Sequence, residues 1–206
     1  MDVTAHPLAL PFRRKPPPRR FTALLLGAAL LTLAGTASPL CAQRLERSDP
    51  ASVAAVFLGS LQRLRWETLA TTVDGETVAV FREHIRSMAE HDPTGRTARR
   101  ALGGAEAAEA AGWTDERFFA RLVESLHADV PMLLGVLATN TYAPLGEVRE
   151  GEDLVHVLVR TTPYTNGSTA SSVEVVTLRR AADGWRVIEA PALDAFLVAL
   201  GTFAMG

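Results

Sequence analysis

The sequence predicts an α+β domain in which N-terminal helices pack on a curved antiparallel sheet of four or more strands. Three observations carry this. Apolar residues recur at three- and four-residue steps from Val53 to Leu126, the period changes to two after Asn140, and a glycine-containing turn signal separates each later segment from the next. Strands joined by short turns pair most simply as a meander.

Ser48-Asp49-Pro50 supplies a capping side chain and a proline for a first turn. The helix that follows carries Val53, Val56, Phe57, Leu61 and Leu64 on one face through Arg65. Trp66 to Leu69 is a short second helix or a turn. Asp74 caps a third helix to about Glu90, with Val78, Phe81, Ile85 and Met88 inward, and Asp92-Pro93-Thr94-Gly95 ends it. Residues 91–112 read as a flexible, partly helical insert, basic at Arg96, Arg99 and Arg100 and then alanine-rich. Thr114-Asp115-Glu116 restarts helix, with an apolar stripe of Phe118, Phe119, Leu122, Val123 and Leu126, and a further turn runs from Pro131 to Leu137.

Four strands follow, over 141–149, 153–162, 171–180 and 185–190, and Pro191 introduces a last apolar helix, Leu193 to Leu200. A two-residue turn at Asn166-Gly167 pairs Val159 with Glu174, Val157 with Val176 and Val155 with Leu178. A three-residue turn with Gly184 as a bulge pairs Ala181 with Trp185, and hence Leu178 with Ile188. One face then holds Val155, Val157, Val159, Val176, Leu178 and Ile188. The opposite face mixes Leu154, His156, Leu158, Arg160, Val173, Val175, Thr177 and Trp185, too apolar to stand wholly in water.

The first 42 residues have the composition of an address. Arg13 to Arg20 are followed by the apolar run Phe21 to Leu33 and then by small residues up to Ala42, the order of a secretory signal peptide. Cleavage is expected between Ala42 and Gln43, which leaves residues 43–206 as the domain, periplasmic or secreted. An uncleaved membrane anchor using Phe21 to Leu40 is the alternative. Five basic groups and one acid fall in residues 1–42, so of the 21 basic and 23 acidic residues the remainder keeps 16 and 22. The total charge of −2 is thus a basic segment joined to a domain of net −6, which argues against nucleic acid as a partner.

Cys41 is the only cysteine, and cleavage after Ala42 leaves no thiol for nucleophilic catalysis, zinc or iron-sulfur ligation, or disulfides. Ser38-Pro39-Leu40 before it is unlike a lipoprotein signal. No phosphate-binding loop, dinucleotide fingerprint or Gly-x-Ser-x-Gly elbow occurs, and His84 and His91 lack metal-ligand spacing. No cofactor or metal is expected. Asn166-Gly167-Ser168 fits both a glycosylation sequon and a tight turn.

Helices, an insert and then a meander ending in Asp-Gly-Trp-Arg-Val resemble the nuclear transport factor 2-like superfamily, shared with ketosteroid isomerases and SnoaL-like cyclases. The resemblance rests on Asp49 to Phe81 and on Leu145 to Glu189, where GEDLVHVLVR and VEVVTLRRAADGWRVIE look like the paired long strands. It implies a cone-shaped α+β fold, with Trp66 where a short helix closes the cone mouth. Isomerase chemistry in that fold needs a carboxylate base and an oxyanion hole in an apolar cavity. Only Tyr142 and Tyr164 are present, near strand ends, and the nearest acids, Asp129 and Asp153, also lie at element ends.

The expectation is therefore an exported, non-catalytic domain that binds a small apolar ligand or a protein partner through the cavity or the outer sheet face, with Trp66, His156, Arg160 and Trp185 as ligand-binding candidates and no catalytic residue assigned. The same face would serve a homodimer. The alternatives are a small cavity enzyme of the isomerase, cyclase or dehydratase kind using a cavity acid or His156, and a membrane-tethered accessory module that keeps its N-terminal segment.

Overall fold

The computed structural model describes residues 47–164 and 170–203. The signal segment, its cleavage site at Ala42 and Gln43, Cys41 and the Asn166-Gly167 turn lie outside the described residues. Among the described residues no helix is long and apolar enough to cross a membrane.

Helices precede the sheet, as the patterning requires. They are α1 (Pro50–Gln62), α2 (Trp66–Ala70), α3 (Gly75–His91), α4 (Arg96–Ala101), α5 (Ala107–Ala110), α6 (Asp115–Asp129) and α7 (Pro131–Thr139). The antiparallel sheet comprises β1 (Thr141–Glu150), β2 (Leu154–Thr162), β3 (Ser172–Ala181) and β4 (Gly184–Glu189) in that order, and α8 (Pro191–Phe203) returns over its covered face.

Local chemistry explains the starts of α1, α3 and α6. The Asp49 carboxylate accepts the Ser52 N–H at 2.9 Å, Asp74 accepts the Glu76 N–H at 2.9 Å, and the Thr114 hydroxyl accepts the Arg117 N–H at 3.3 Å. The inward faces of α3 and α6 are the ones their periodicity marks. Phe81, Phe119 and Phe196 meet edge-on, with ring centroids at 5.1 and 6.1 Å, and so join α3, α6 and α8 in one core.

The first helix ends earlier than its apolar pattern suggests. Leu64 takes a left-handed φ of 52°, the Leu64 N–H donates to Leu61 O at 3.2 Å and the Arg65 N–H to Ser60 O at 2.9 Å. This is a Schellman stop with leucine where glycine is usual. It turns Leu64 outward and frees α2 to begin at Trp66.

The insert also differs from its composition. Asp92 accepts from the backbone and hydroxyl groups of both Thr94 and Thr97 at 2.6–2.9 Å, which caps α4 and holds the carboxyl far below the usual range. Ala98, Ala101, Leu102 and Ala110 are buried, and the exposed Arg99 and Arg100 pair with Glu106 and Asp129. Arg82 latches the segment to α3: its guanidinium donates to Ala110 O, Trp113 O and the Asp115 carboxylate and lies 4.3 Å from the Phe118 ring centroid.

Between β2 and β3 the register is the expected one, Val155 opposite Leu178, Val157 opposite Val176 and Val159 opposite Glu174. Between β3 and β4 it is shifted by one residue. Ala181 faces Gly184, Arg180 faces Trp185 and Leu178 faces Val187, with Ile188 at a bulge. The cause is Arg47. Its carbonyl accepts the Trp185 N–H at 2.8 Å, and its backbone passes so close to Gly184 (φ 120°) that a Cβ there would collide with it. Gly184 therefore belongs to the strand and not to the turn, and Trp185 swings to the inner face, where it is 1% exposed.

This register has a measurable consequence. Trp185→Ala is expected to cost about 3–5 kcal/mol of stability and Ile188→Ala clearly less, by urea denaturation; the register with Ile188 inward would reverse that order.

Candidate functional site

The sheet has unlike faces. The inner face, Val155, Val157, Val159, Val176, Leu178, Trp185 and Val187, is covered by helices. The outer face brings together residues of three strands: Val148 of β1, Leu154, His156, Leu158 and Arg160 of β2, and Val173, Val175 and Thr177 of β3. On it Val148, Val173 and Val175 are 55%, 58% and 40% exposed, while Leu154, His156 and Leu158 are half-buried and Thr177 is buried. Exposed valines at neighbouring sheet positions are an apolar patch of the kind that contacts proteins.

His156 stands near the centre of this face. Its Nε2 lies 3.1 Å from the Glu150 carboxylate and its Nδ1 3.2 Å from the Thr177 hydroxyl. The carboxylate only accepts, so Nε2–H donates to it, while Nδ1 is within hydrogen-bond reach of the Thr177 hydroxyl. Carboxylate, imidazole and hydroxyl in this order can activate a nucleophile. Here Thr177 is 5% exposed in mid-strand, so its oxygen is shielded from a substrate and the chain of bonds serves to orient the ring. Arg160, two positions along the same face, has no ion-pair partner among the described residues.

The other two candidates lie elsewhere. Trp185 is a core residue on the inner face, with Arg180 stacked 5.2 Å from its ring centroid, because the one-residue shift of β4 reverses the side its ring occupies. Trp66, at the start of α2, is half-buried, its ring centroid 5.4 Å from that of His127. It lines an open groove of about 640 Å³ between α2 and α6, with Arg65, Glu67, Glu116, Arg117 and Arg121 around it. Cations and carboxylates alternate there, and no single charge sign is concentrated. A second groove, of about 660 Å³, is floored by Ile85, Ala89, Trp113 and Phe118.

The interior between α1, α8 and the sheet is nearly filled. A pocket of about 30 Å³ remains, lined by Phe57, Leu61, Tyr142, Val159, Glu174 and Val176 among others. That is room for a water molecule, far below the several hundred Å³ of a ligand site. Tyr142, whose strand-end position suggests a surface role, faces this pocket and donates its hydroxyl hydrogen to Leu137 O at 2.9 Å. Asn140 Oδ1 and Thr161 Oγ1, both buried, find no protein partner, and Thr161 is opposite Tyr142 in the register. Asp129 and Asp153, the acids weighed for cavity chemistry, are elsewhere: Asp129 pairs with Arg100, and the Asp153 carbonyl accepts the Arg180 N–H. Alternation along β2 was enough to find His156 and Arg160; that Tyr142 and Glu174 line one pocket had no sequence signal, because it needs β1 and β3 to be placed either side of β2.

No family model, curated protein or solved structure matches the chain.

Burial pushes the Tyr142 phenol up to about 12, with the Glu174 charge adding to the rise and a hydrogen bond from Asn140 opposing it. A raised phenol favours the folded state in its neutral form, so this contribution is complete below pH 10 and is lost as pH climbs toward about 12. In a Tyr164→Phe background, phenolate absorbance is expected to appear late in that window, and Tyr142→Phe is expected to remove this part of the alkaline loss of stability.

Proposed function

We propose that the chain is an exported, non-catalytic binding domain, built on the nuclear transport factor 2-like plan its sequence resembles, that engages a protein partner through the outer face of its sheet. The observation that carries this is the exposed patch of Val148, Val173 and Val175 around the oriented ring of His156. The small interior pocket favours contact at a surface over an enclosed ligand, and by the same argument weighs against the cavity-enzyme alternative.

The ends of the patch say what the partner must offer. Arg160 stands at one end of the β2 row and Glu150, opposite Leu154, at the other. A complementary surface is apolar in the middle, with a carboxylate to meet Arg160 and a cation to meet Glu150. Export is inferred from residues 13–42, whose order of charge, apolar run and small residues is that of a signal peptide.

A photo-reactive amino acid in place of Val175 is expected to cross-link the partner in the producing cell, and one in place of Arg86 on the exposed side of α3 is not. A second copy of the chain trapped through Val175 would identify the partner as the protein itself. Equal yields at both positions, or none at Val175, would overturn the surface assignment. Mass spectrometry of the exported protein is expected to find Gln43 at its N-terminus; an intact Met1 to Ala42 segment would replace export with the membrane-tethered reading.

A further inference from the structure

The two edges of the sheet are finished differently. At β4, the Val187 N–H donates to Thr72 O at 2.8 Å, Val187 O accepts the Asp74 N–H at 2.9 Å, and Arg47 O takes the Trp185 N–H. That edge is occupied. At β1, nothing among the described residues pairs with the side of the strand away from β2. A free edge of this kind is a template for another strand.

The two halves of β1 are not equal as templates. Pro144 has no N–H to offer, and the irregularity between Pro144 and Gly146 breaks the repeat, so the first half is blunted. Gly146–Glu150 is regular, running opposite Leu158 to Leu154 without a shift. Within it Glu147 and Arg149 flank Val148 symmetrically. Their side chains share the face away from His156 and pair with each other at 2.8 Å.

The geometry points to a second copy of this chain as the occupant of that edge, with β1 paired antiparallel to β1 of the copy about a two-fold axis at Val148. In this register Glu147 of each copy stands opposite Arg149 of the other, and the two Val148 side chains meet on the outer face. Charges of one sign along an edge repel a second copy and protect against pairing. Here an anion and a cation lie equally far from the centre, so the segment is complementary to itself. A two-fold axis perpendicular to the sheet keeps both outer faces on one side, which gives eight continuous strands and doubles the apolar face. The inference rests on the edge alone and does not depend on what that face binds.

Sedimentation of the protein as the producing cell leaves it tests this. The expected result is a dimer whose dissociation constant rises about tenfold or more with either Glu147→Arg or Arg149→Glu, and returns toward the original value in the double exchange. In a Cys41→Ser background, Val148→Cys is expected to form a disulfide-linked dimer on mild oxidation, and Val173→Cys is not. A monomer at every attainable concentration, a dimer indifferent to both charge reversals, or a dimer linked through Val173→Cys instead would overturn the edge pairing. Circular dichroism of each variant, unchanged from the parent, separates lost pairing from lost folding.

Discussion

Asp74 is the joint on which helices and sheet depend. Its carboxylate is buried, accepts the Glu76 N–H that starts α3, and receives the Arg179 guanidinium of β3 at 2.8 Å, while its own N–H donates to Val187 O of β4. A buried carboxylate is tolerated only where such donors converge on it. The residue therefore sets three things together: where α3 begins, how the β4 edge is closed, and how the helical layer is held to the sheet. Through α3 the effect extends further, because Arg82 on that helix latches Ala110 and Trp113 of the insert, and Phe81 on its inner side meets Phe119 of α6.

Once the joint is made, the interior closes. Phe57, Phe81, Phe119, Trp185 and Phe196 occupy the space between helices and inner face, and what remains beside Tyr142 and Glu174 has room for little more than a water. The chemistry that stays accessible is on the outside: the His156 face, the charged groove at Trp66 and the free edge of β1. A domain packed in this way has surfaces to offer rather than a chamber, which is the physical ground for proposing binding as its role.

The parts legible in the sequence are those governed by near neighbours. The caps at Asp49, Asp74 and Thr114 act within three residues, the buried faces of α3 and α6 repeat within two turns, and the β2–β3 register is the one expected from a two-residue turn at Asn166-Gly167. Of the misread parts, one is local and two have distant causes. Leu64 reads as the last apolar residue of α1 but stops the helix in a left-handed conformation that glycine usually takes. Ala98, Ala101 and Ala110 read as a loose alanine-rich insert and are buried, since α3 and α6 approach from both sides and favour small residues there. Trp185 reads as an outer-face residue and is in the core, because Arg47, far away in sequence, passes over Gly184.

By itself, then, the sequence determined the α+β order, the helix starts, the alternation that puts His156 and Arg160 on one face of β2, and the symmetric Glu147-Val148-Arg149 triplet. Periodicity, capping and charge are properties of short segments, and they persist whatever the rest of the chain does. Tertiary structure alone decided which sheet edge is free, which tryptophan is core, and that the interior is full. Each of these depends on backbone or volume contributed by residues remote in the chain: Arg47 and Thr72–Asp74 at β4, and α8 over the inner face. No local pattern encodes the arrival of a distant strand, so the boundary between interior and binding surface had to wait for the packing that draws it.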